Sequence, residues 1–401
     1  MYLVMGMEKL VFHIDVNNAF LSWTAVDMLK QGYDRDIRTV PSVIGGDEEK
    51  RHGIVLAKSP VAKKYGIKTA ETIYMAKKKC PKLEVFPADY TLYMNMSRKL
   101  FSYLKTFTPS LFQFSVDEAF LDMSNMDYVY KDVIKLAYNI KNEIKEKFGF
   151  TVNIGIGNNN LCAKMASDFE KPDKVHTLFM EEVPDKMWPL PVGDLLFVGK
   201  NSVRRLNDLG IYTIGDLAKA NAKDLYPYFK NQSQELIDRA NGKDFLFFRD
   251  KNKYNKSISV SRTLEKDTND KKKLKDILLE EVDEVGRSLR KQGYYATVVA
   301  VTYRNQNFFD YSHQSTLEQP INTTLDIYNE VIRIFELSWR HDYIRNIGVR
   351  LDHLVRGKVS QIDLFSGEEK HKDGKMQKVL DDINEKFGTS TITLASLKRK
   401  N

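Results

Sequence analysis

Two short segments of the sequence carry acidic residues in apolar surroundings. Asp15 ends the run KLVFHID, and Asp117 and Glu118 lie side by side within FSVDEAFLD. Burying ionised carboxylates among apolar residues is costly unless a cation compensates them. A divalent metal ion is the natural compensation, because Mg²⁺ prefers oxygen ligands. The alternative is that Asp117 and Glu118 form an ordinary surface turn, since charged residues are usually exposed.

Strands are the elements expected to position these acids. Lys9–Asp15, Leu111–Met123 and Phe150–Gly157 are mostly apolar runs that predict buried strands, with Asp15 at the end of the first. The segment Tyr128–Lys147, between the second and third runs, has a helical pattern. We therefore expect one α+β layer with Asp15 at the end of a central strand.

The rest of the chain divides by composition. The Lys-rich insertion Leu21–Pro87 predicts a small separate lobe, and Pro184–Lys243 predicts short helices punctuated by glycine. The polar stretch Asp250–Lys256 predicts an exposed linker before a last mixed domain. In that domain we expect three strands and two helices: Ser257–Leu264, Tyr295–Arg304, Ile347–Leu354, Lys272–Gln292 and Thr324–Arg340.

Length, charge and cysteine content limit the classes of function. A chain of 401 residues exceeds what one hydrophobic core usually organises, so two to four domains are expected. Lys and Arg number 62 against 54 Asp and Glu, and the net charge of +8 suits a polyanionic partner without proving one. Cys80 and Cys162 are too few for a disulfide framework and predict buried thiols in a reducing compartment. No apolar run reaches the ~20 residues of a membrane helix and no export signal is visible, so we expect a cytoplasmic protein.

The acidic segments carry a family resemblance. FSVDEAFLD and HIDVNNAF together resemble the two catalytic segments of the Y-family translesion DNA polymerases, which include UmuC-like and polymerase IV-like enzymes. The resemblance continues through EKPDK at Glu170–Lys174 and covers about Lys9–Val355 in a consistent order. It implies an α+β multidomain fold shaped as a right hand. It also implies low-fidelity, template-directed addition of deoxynucleotides to a primer 3′ end during DNA damage tolerance.

The resemblance also implies a division into domains. The expected parts are a palm at 1–20 and 88–180, fingers at 21–87, a helical thumb with a helix-hairpin-helix at 181–249, a linker at 250–256, an α/β little finger at 257–356, and a C-terminal tail with a clamp-binding peptide at 357–401. No additional domain is left to house a proofreading exonuclease, which agrees with low fidelity.

Roles around the reacting groups follow from the same resemblance. Asp15, Asp117 and Glu118, with the backbone carbonyl of Val16, would hold two Mg²⁺ ions, for which Mn²⁺ could substitute. Such a pair stabilises the attacking and leaving oxygens of a phosphoryl displacement. Phe20 stands at the position of an aromatic steric gate, whose ring would collide with a ribose 2′-hydroxyl. The alternative for Phe20 is a plain core aromatic.

The expected triphosphate contacts depart from the family pattern. Lys171 matches the family lysine that meets the triphosphate, and a compact cation suits that charge. Within SPVAKKYGI, however, Pro60 stands where the family has a tyrosine, and Lys63 stands where it has an arginine. Proline has no hydrogen-bond donor, and lysine cannot make the bidentate hydrogen bonds that arginine makes to phosphate. Altered contacts with the triphosphate are therefore expected. Lys58 and Ser59 are the candidates to supply replacement contacts.

Two further regions resemble parts of the family that bind DNA. Phe197–Leu206, FVGKNSVRRL, resembles a helix-hairpin-helix, in which Gly199 would make the turn and present backbone amides, beside Lys200, to a DNA phosphate. Phe197 replaces the usual first glycine, and a purely structural helical turn is the alternative. In the little finger the candidate residues for contacts with the DNA backbone are Arg262, Arg304, Arg345 and Arg350.

The segment Gln361–Phe365, QIDLF, resembles the short peptide by which bacterial polymerases bind the sliding clamp. Gln361, Leu364 and Phe365 would make the contacts, since a peptide anchor explains an exposed Leu and Phe in a polar tail. The expected partners are therefore primer–template DNA, deoxynucleoside triphosphates and the clamp, with no membrane, and the chain is expected to be a monomer.

Two other functions stay open at this point. One is a DNA-binding or clamp-associated accessory protein derived from a polymerase, for which Pro60 and Lys63 would mark decay. The other is a palm-based nucleotidyl transferase or cyclase that acts without a template. The intact acid triad argues against the first, and the hairpin, little finger and clamp peptide argue against the second.

Overall fold

A computed structural model describes residues 9–46, 53–124, 126, 129–243, 256–356, 377, 379–383, 386–388 and 392. These residues fall into two compact units, one within 1–249 and the other within 250–401. No helix in the described ranges is long and apolar enough to cross a bilayer. Cys80 and Cys162 are both buried thiols, as the sequence predicted.

The first unit contains eight strands and ten α-helices among its described residues. In chain order they are β1 Val11–Val16, α1 Ala19–Lys30, β2 Ser42–Gly45, β3 Val55–Lys58, α2 Pro60–Lys64, α3 Ile73–Lys79, β4 Glu84–Pro87, α4 Tyr90–Leu104, β5 Leu111–Gln113, β6 Glu118–Asp122, α5 Val133–Phe148, β7 Val152–Gly157, α6 Asn160–Asp168, β8 Val175–Leu178, α7 Lys200–Asp208, α8 Ile214–Ala218, α9 Ala222–Phe229 and α10 Ser233–Ala240.

The second unit contains four strands and two helices in the part of 256–356 that the structure describes. They are β9 Ser257–Thr268, α11 Lys271–Lys291, β10 Tyr294–Asn305, β11 Asp310–Ile321, α12 Thr324–Ser338 and β12 Ile344–Arg356.

We call the five-stranded sheet of order β5-β6-β1-β7-β8 the catalytic sheet, because Asp15 and Glu118 of the predicted acid triad lie on it. β1 is antiparallel to both β6 and β7, whereas β7 and β8 are parallel. Every residue of β1 and β7 is buried. One face packs against α1, α4 and α5 in a single hydrophobic core, and α6 covers the other face. Burial on both faces explains why these strands read as continuous apolar runs rather than alternating ones.

The close approach of α6 to the sheet depends on two glycines of β7. A Cβ atom at Gly155 would lie 2.0 Å from the carbonyl oxygen of Ala163, and one at Gly157 would lie 2.8 Å from the Ala163 nitrogen. Both distances are impossible for real atoms, so any larger residue would push α6 away. This contact holds α6, and with it Lys164, directly over the end of β1.

The prediction of one strand over Leu111–Met123 is wrong. The segment is a hairpin of β5 and β6, joined by a turn in which the amides of Phe114 and Ser115 donate to the Glu118 carbonyl at 2.9 and 3.2 Å. The Ser115 hydroxyl lies 2.6 Å from an Asp117 carboxylate oxygen and stabilises the turn. Asp117 therefore ends a turn, and Glu118 begins β6.

The Lys-rich lobe begins later than the predicted Leu21. Leu21, Trp23 and Val26 on α1 belong to the core of the catalytic sheet. The lobe has its own three-stranded sheet, of order β3-β2-β4, and its own small hydrophobic core. The residues of that core are Val43, Val55, Ala62, Ile67, Ile73, Ala76, Cys80 and Leu83. The insertion thus keeps its first helix in the catalytic layer.

The last domain is an antiparallel sheet of order β11-β10-β12-β9, with α11 and α12 on one face. All three predicted strands and both predicted helices are present. β11 was missed, because its residues DYSHQSTLEQPI are polar and mostly exposed. An edge strand with one open face buries too little apolar surface to show a strand pattern.

Candidate active site

The three predicted acids meet at one end of the catalytic sheet. Asp15 on β1 is the register partner of Glu118 on β6, and the Val16 amide donates to the Asp117 carbonyl at 3.1 Å. Cross-strand partners carry their side chains on the same face of a sheet. Asp15 is only 7% exposed. The structure thus brings together, at adjacent backbone positions, residues that lie about a hundred positions apart in the chain.

Two lysines compensate these acids. Lys164 on α6 bridges the Asp15 and Glu118 carboxylates, with its Nζ 3.3 Å from Asp15 Oδ2. Lys171 Nζ lies 2.7 Å from the same Asp15 oxygen and 2.7 Å from Asp168 Oδ1. Lys171 was predicted from the family motif, but Lys164 was missed. The only sequence pattern that marks it is a lone lysine in an otherwise apolar helical stretch, LCAKMAS.

The pKa values of these groups reflect burial and mutual charge. Burial opposes ionisation of Asp15, but the ammonium groups of Lys171 and Lys164 hold the pKa of Asp15 below its ordinary value. Burial raises the pKa of Asp117 and that of Glu118, and the Asp15 carboxylate acts in the same direction on both. Burial disfavours the charged form of Lys164, yet the surrounding carboxylates raise its pKa above the usual range.

The donor set suits a hard divalent cation. Three carboxylates meet in a partly buried place, and the positive charge that they require is supplied by lysine side chains. Within the described ranges, no group of three His, Cys, Asp or Glu side chains is gathered closely enough to hold an ion as it stands. Lys164 bridges two of the three acids, and its flexible stem can withdraw. The residues therefore fit a divalent metal by chemistry and by charge.

Phe20 lies beside this acidic site on α1. Its ring stacks on Tyr93 of α4 with centroids 4.4 Å apart and an interplanar angle of 6°. The Tyr93 hydroxyl lies 3.1 Å from the Thr24 hydroxyl, which in turn donates to the Phe20 carbonyl at 2.8 Å. Tyr93 is fully buried, so it fixes the plane of the partly exposed Phe20 ring. The sequence had indicated Phe20 but gave no reason to select Tyr93.

Three residues of the Lys-rich lobe, Lys58, Ser59 and Lys63, were predicted to contact the triphosphate. Ser59 is fully buried and caps α2, because its hydroxyl accepts from the Ala62 amide at 2.9 Å and donates to the Val40 carbonyl at 2.7 Å. The prediction that Ser59 supplies a phosphate contact conflicts with these bonds. Burial and the positive charge of Lys63 together lower the pKa of Lys58, whose ammonium group donates to the Thr69 hydroxyl at 3.3 Å.

Comparison with known proteins decides the family. The impB/mucB/samB family model matches residues 14–168, and the model of that family's C-terminal domain matches residues 255–364. A protein of Clostridium acetobutylicum named DNA polymerase IV is 45% identical over 397 residues, which are 98% of this chain and 99% of that protein. The chain belongs to the Y family of DNA polymerases.

Other relatives agree with this membership. DNA polymerase IV 1 of Bacillus subtilis is 31% identical over 98% of this chain and 94% of its own length. A solved Y-family DNA polymerase chimera superimposes with a TM-score of 0.73 and 23% identity, covering 87% of this chain and all of that one. The fold is therefore that of a right-hand polymerase with palm, fingers, thumb and little finger.

The thumb hairpin of this Y-family chain has an unusual turn. The left-handed residue is Phe197, with φ +68°, and not the predicted Gly199, which has an extended φ of −82°. A non-glycine residue in this region costs roughly 1–2 kcal/mol. The Phe197 ring is 54% exposed, and the Arg239 guanidinium lies 5.2 Å from its centroid. Gly199 instead serves as the N-cap of α7, next to Lys200, and no side chain there bonds the first-turn amides.

Among the residues that the structure describes in the second unit, no helix packs on one face of the little-finger sheet. We call it the open face, and its residues are mostly short and polar. They are Ser257, Ser259, Ser261 and Thr263 on β9, Asn346, Gly348, Arg350 and Asp352 on β12, Val298, Ala300, Thr302 and Arg304 on β10, and Asp310, Ser312, Gln314 and Thr316 on β11. The opposite face packs its aliphatic residues against α11 and α12.

The four predicted arginines do not share this face. Arg304 and Arg350 lie on the open face, paired with Asp310 at 2.7 Å and Asp352 at 3.2 Å. Arg262 lies on the helix face instead. Its role as a DNA contact is therefore not supported by its placement.

Arg262 bridges two acids of α11. Its guanidinium lies 2.6 Å from Glu280 and 2.6 Å from the fully buried Glu281. Burial raises the pKa of Glu281 above its ordinary value, although Arg262 opposes this change. Arg345 makes a two-pronged pair with Asp267, at 2.8 and 3.2 Å, and stacks over Phe308. Strand alternation, which the sequence could not resolve, decides these orientations.

The predicted clamp-binding peptide, with Gln361, Leu364 and Phe365, lies outside the described residues. Most of the predicted linker lies outside them as well.

Proposed function

We propose that this chain extends a primer 3′ end on a DNA template by two-metal nucleotidyl transfer, with low fidelity and with tolerance of damaged template bases. The observation that carries the proposal is the convergence of Asp15, Asp117 and Glu118 on one sheet end beside two lysines. Membership of the Y family, and hence dependence on a divalent metal, supports the same chemistry. Mg²⁺ is the proposed metal, in two copies, and Mn²⁺ is a proposed substitute.

Each residue of the site has a proposed part in this reaction. The three acids and the Val16 carbonyl would hold the metal ions. A bound pair of ions would activate the primer hydroxyl and stabilise the leaving pyrophosphate. Lys171 lies 2.7 Å from Asp15 and so borders the place of a metal-bound triphosphate. Its compact ammonium group suits phosphate oxygens.

Selection of the sugar and the remaining phosphate contacts fall to other residues. Phe20, held flat by its stacking on Tyr93, would meet C2′ of the incoming sugar and exclude a ribose hydroxyl. Lys58 and Lys63 are proposed to contact the triphosphate from the fingers in place of the family tyrosine and arginine. Lysine ammonium groups act as point charges and lack the fixed hydrogen-bond geometry of tyrosine and arginine. We therefore expect nucleotide binding that is weaker and depends less on exact geometry.

Primer–template DNA is proposed to contact two regions. The unblocked amides at the start of α7, with Gly199 and Lys200, suit a backbone phosphate. The open face offers hydroxyls, amides and Arg304 and Arg350, which suit contacts with phosphates and sugars and do not read sequence. The clamp is proposed to bind at Gln361–Phe365, and the polymerase is proposed to act as a monomer.

Primer extension with Mg²⁺ tests the proposal. The wild-type chain should extend an annealed primer only on a template, and the double substitution Asp117→Ala with Glu118→Ala should abolish extension. A chain that binds DNA but does not extend would instead be an accessory protein. Extension that ignores the template sequence would indicate the template-independent alternative.

Sugar selection gives a separate test of Phe20. The substitution Phe20→Ala should raise ribonucleotide incorporation by roughly 10–200-fold, because a steric pocket discriminates to about this extent. Phe309→Ala, at a ring that is 61% exposed in the second unit, serves as the control and should leave selection unchanged. Unaltered selection in Phe20→Ala would remove Phe20 from the role of gate.

A further inference from the structure

The turn that carries Lys171 joins α6 to β8. Lys171 reaches from this turn to Asp15, although its side chain has four rotatable methylene groups and large rotamer freedom. A flexible side chain of this kind is placed mainly by the backbone from which it extends. The question is therefore what holds the backbone of residues 168–174.

A buried amide on β7 holds the inner side of this turn. Asn153 is fully buried, and its Nδ2 donates to the Ser167 carbonyl at 3.0 Å and to the Glu170 carbonyl at 2.6 Å. Its Oδ1 accepts from the Lys174 amide at 3.3 Å. One side chain thus bonds the turn at three points, on both sides of Lys171.

A second amide, on the residue that directly follows β1, completes the network. Asn17 Nδ2 donates to Asn153 Oδ1 at 3.1 Å, and Asn17 Oδ1 accepts from the Asp173 amide at 2.9 Å and from the Thr151 hydroxyl at 2.9 Å. Asn17 follows Asp15 by two positions, and Asn153 is the register partner of Asp15. The metal-binding carboxylate and the turn are therefore fixed to the same two strands through adjacent side chains.

The outer side of the turn is fixed to α5. Lys141 and Lys145 bond the two oxygens of Asp173 at 2.7 and 2.9 Å, and Asp173 has a left-handed φ of +62°. Only a side chain with both donors and an acceptor can serve at position 153. A leucine would leave the Ser167 and Glu170 carbonyls unpaired, and an aspartate would lose both donors beside Asp15.

We propose that Asn17 and Asn153 are positioning residues, which set the reach of Lys171 toward the metal-bound triphosphate. This inference rests on the proposed role of Lys171 in triphosphate binding. The amides act through the backbone of the turn and touch no reacting group. Their substitution should therefore weaken triphosphate binding only through Lys171.

Chemical labelling tests the positioning without any need for turnover. In Asn153→Ala, modification of Lys171 by an amine-reactive reagent, measured by mass spectrometry, should become several times faster. Lys186, whose side chain is 40% exposed, serves as the internal reference. The matched control is Asn305→Ala, at a buried amide of the little finger that caps the Asn307 and Phe309 amides. It should leave the labelling of Lys171 unchanged, and unaltered labelling in Asn153→Ala would overturn the proposal.

A double-mutant cycle tests the link to the triphosphate. The affinity for a deoxynucleoside triphosphate with Mg²⁺, measured by fluorescence, should fall roughly tenfold or more in Asn153→Ala, since misplacement by about 1 Å can cost as much as 10²-fold. The same substitution should have little effect in a Lys171→Ala background. Equal losses in both backgrounds would show a general structural defect and would overturn the proposal. If the wild type bound no triphosphate, the proposed function would fail, whereas the labelling would still decide the positioning.

Discussion

The catalytic sheet and the little-finger sheet handle charge in opposite ways. The catalytic sheet is covered on both faces, and its acids are compensated by Lys164 and Lys171 within a partly buried site. In the described part of the second unit, helices cover one face of the little-finger sheet, and the arginines of the open face pair with carboxylates that are partly or largely exposed. Buried pairs are costly to break, whereas exposed pairs contribute little. The first arrangement suits a fixed reaction geometry, and the second suits exchange with a polyanion.

The largest effect that this comparison predicts follows removal of Asp15. Asp15→Asn should lower the rate of primer extension by about 10³-fold, comparable to the loss of a principal electrostatic contact in an active site. The matched control is Asp352→Asn on the open face, where the lost partner is the partly exposed Arg350 at 3.2 Å. The control should stay within a few-fold of wild type in single-turnover extension. Similar losses in both variants would remove the distinction between the two sheets.

A smaller effect separates the two faces of the little-finger sheet. Arg262→Met leaves the buried carboxylate of Glu281 without its partner. We expect a loss of about 2 kcal/mol of local stability, below the full cost of breaking a buried pair because Arg262 is partly exposed. Hydrogen exchange of the α11 amides would measure this loss. A protection pattern equal to wild type would contradict the helix-face role of Arg262.

The same substitution on the open face should give the reverse result. Arg350→Met should change stability by less than about 1 kcal/mol, since its partners Asp352 and Gln314 are partly or fully exposed rather than buried. It should also reduce the slope of log affinity for DNA against log salt concentration by about 1, as expected when one phosphate contact is lost. An unchanged slope would exclude Arg350 from the DNA interface.

A pH-dependent effect on stability is predicted for Asp173. Burial opposes its ionisation, but hydrogen bonds from Lys141 and Lys145 lower the pKa of Asp173 below its ordinary value. Because the pKa of Asp173 is lower in the folded state, the ionised carboxylate stabilises the fold at pH values above its unfolded pKa of about 3.9. This stabilisation is lost as the pH falls through the folded-state pKa. Asp173→Asn should therefore reduce stability by about 1 kcal/mol at neutral pH, and the difference should shrink as the pH falls below about 3.9 and through the folded-state pKa. A difference that persists in acid would contradict the ion pairs.

Much of this architecture could be predicted from sequence because burial on both faces leaves a strong pattern. β1 and β7 are fully buried apolar runs, and the acids beside them match a known catalytic segment. The β5–β6 hairpin was hidden because its turn, FSVD, continues the apolar run of the flanking strands. β11 was missed for the opposite reason. Its sequence is polar and none of its residues is fully buried, so it shows no apolar pattern.

Sequence reasoning missed several residues of the site because they belong to no motif with a characteristic spacing along the chain. Asn153 lies within the apolar strand β7 and Asn17 directly follows β1, and a buried amide at such a place indicates a hydrogen-bond network but does not reveal its partners. Tyr93 and Lys164 become meaningful only when α4 and α6 are packed on the sheet. Contacts between distant positions depend on tertiary structure alone, as for Asn17 and Asn153, which are 136 positions apart.

β11 has a further consequence for the behaviour of the protein in concentrated solution. It is a 12-residue strand at the edge of its sheet, and unpaired backbone groups on such an edge can template pairing with another chain. Three features of the strand oppose such self-association. Pro320 removes one donor, and Asp310 and Glu318 place charge along the edge. Neutralising these acids would be expected to promote aggregation before it altered any enzymatic property.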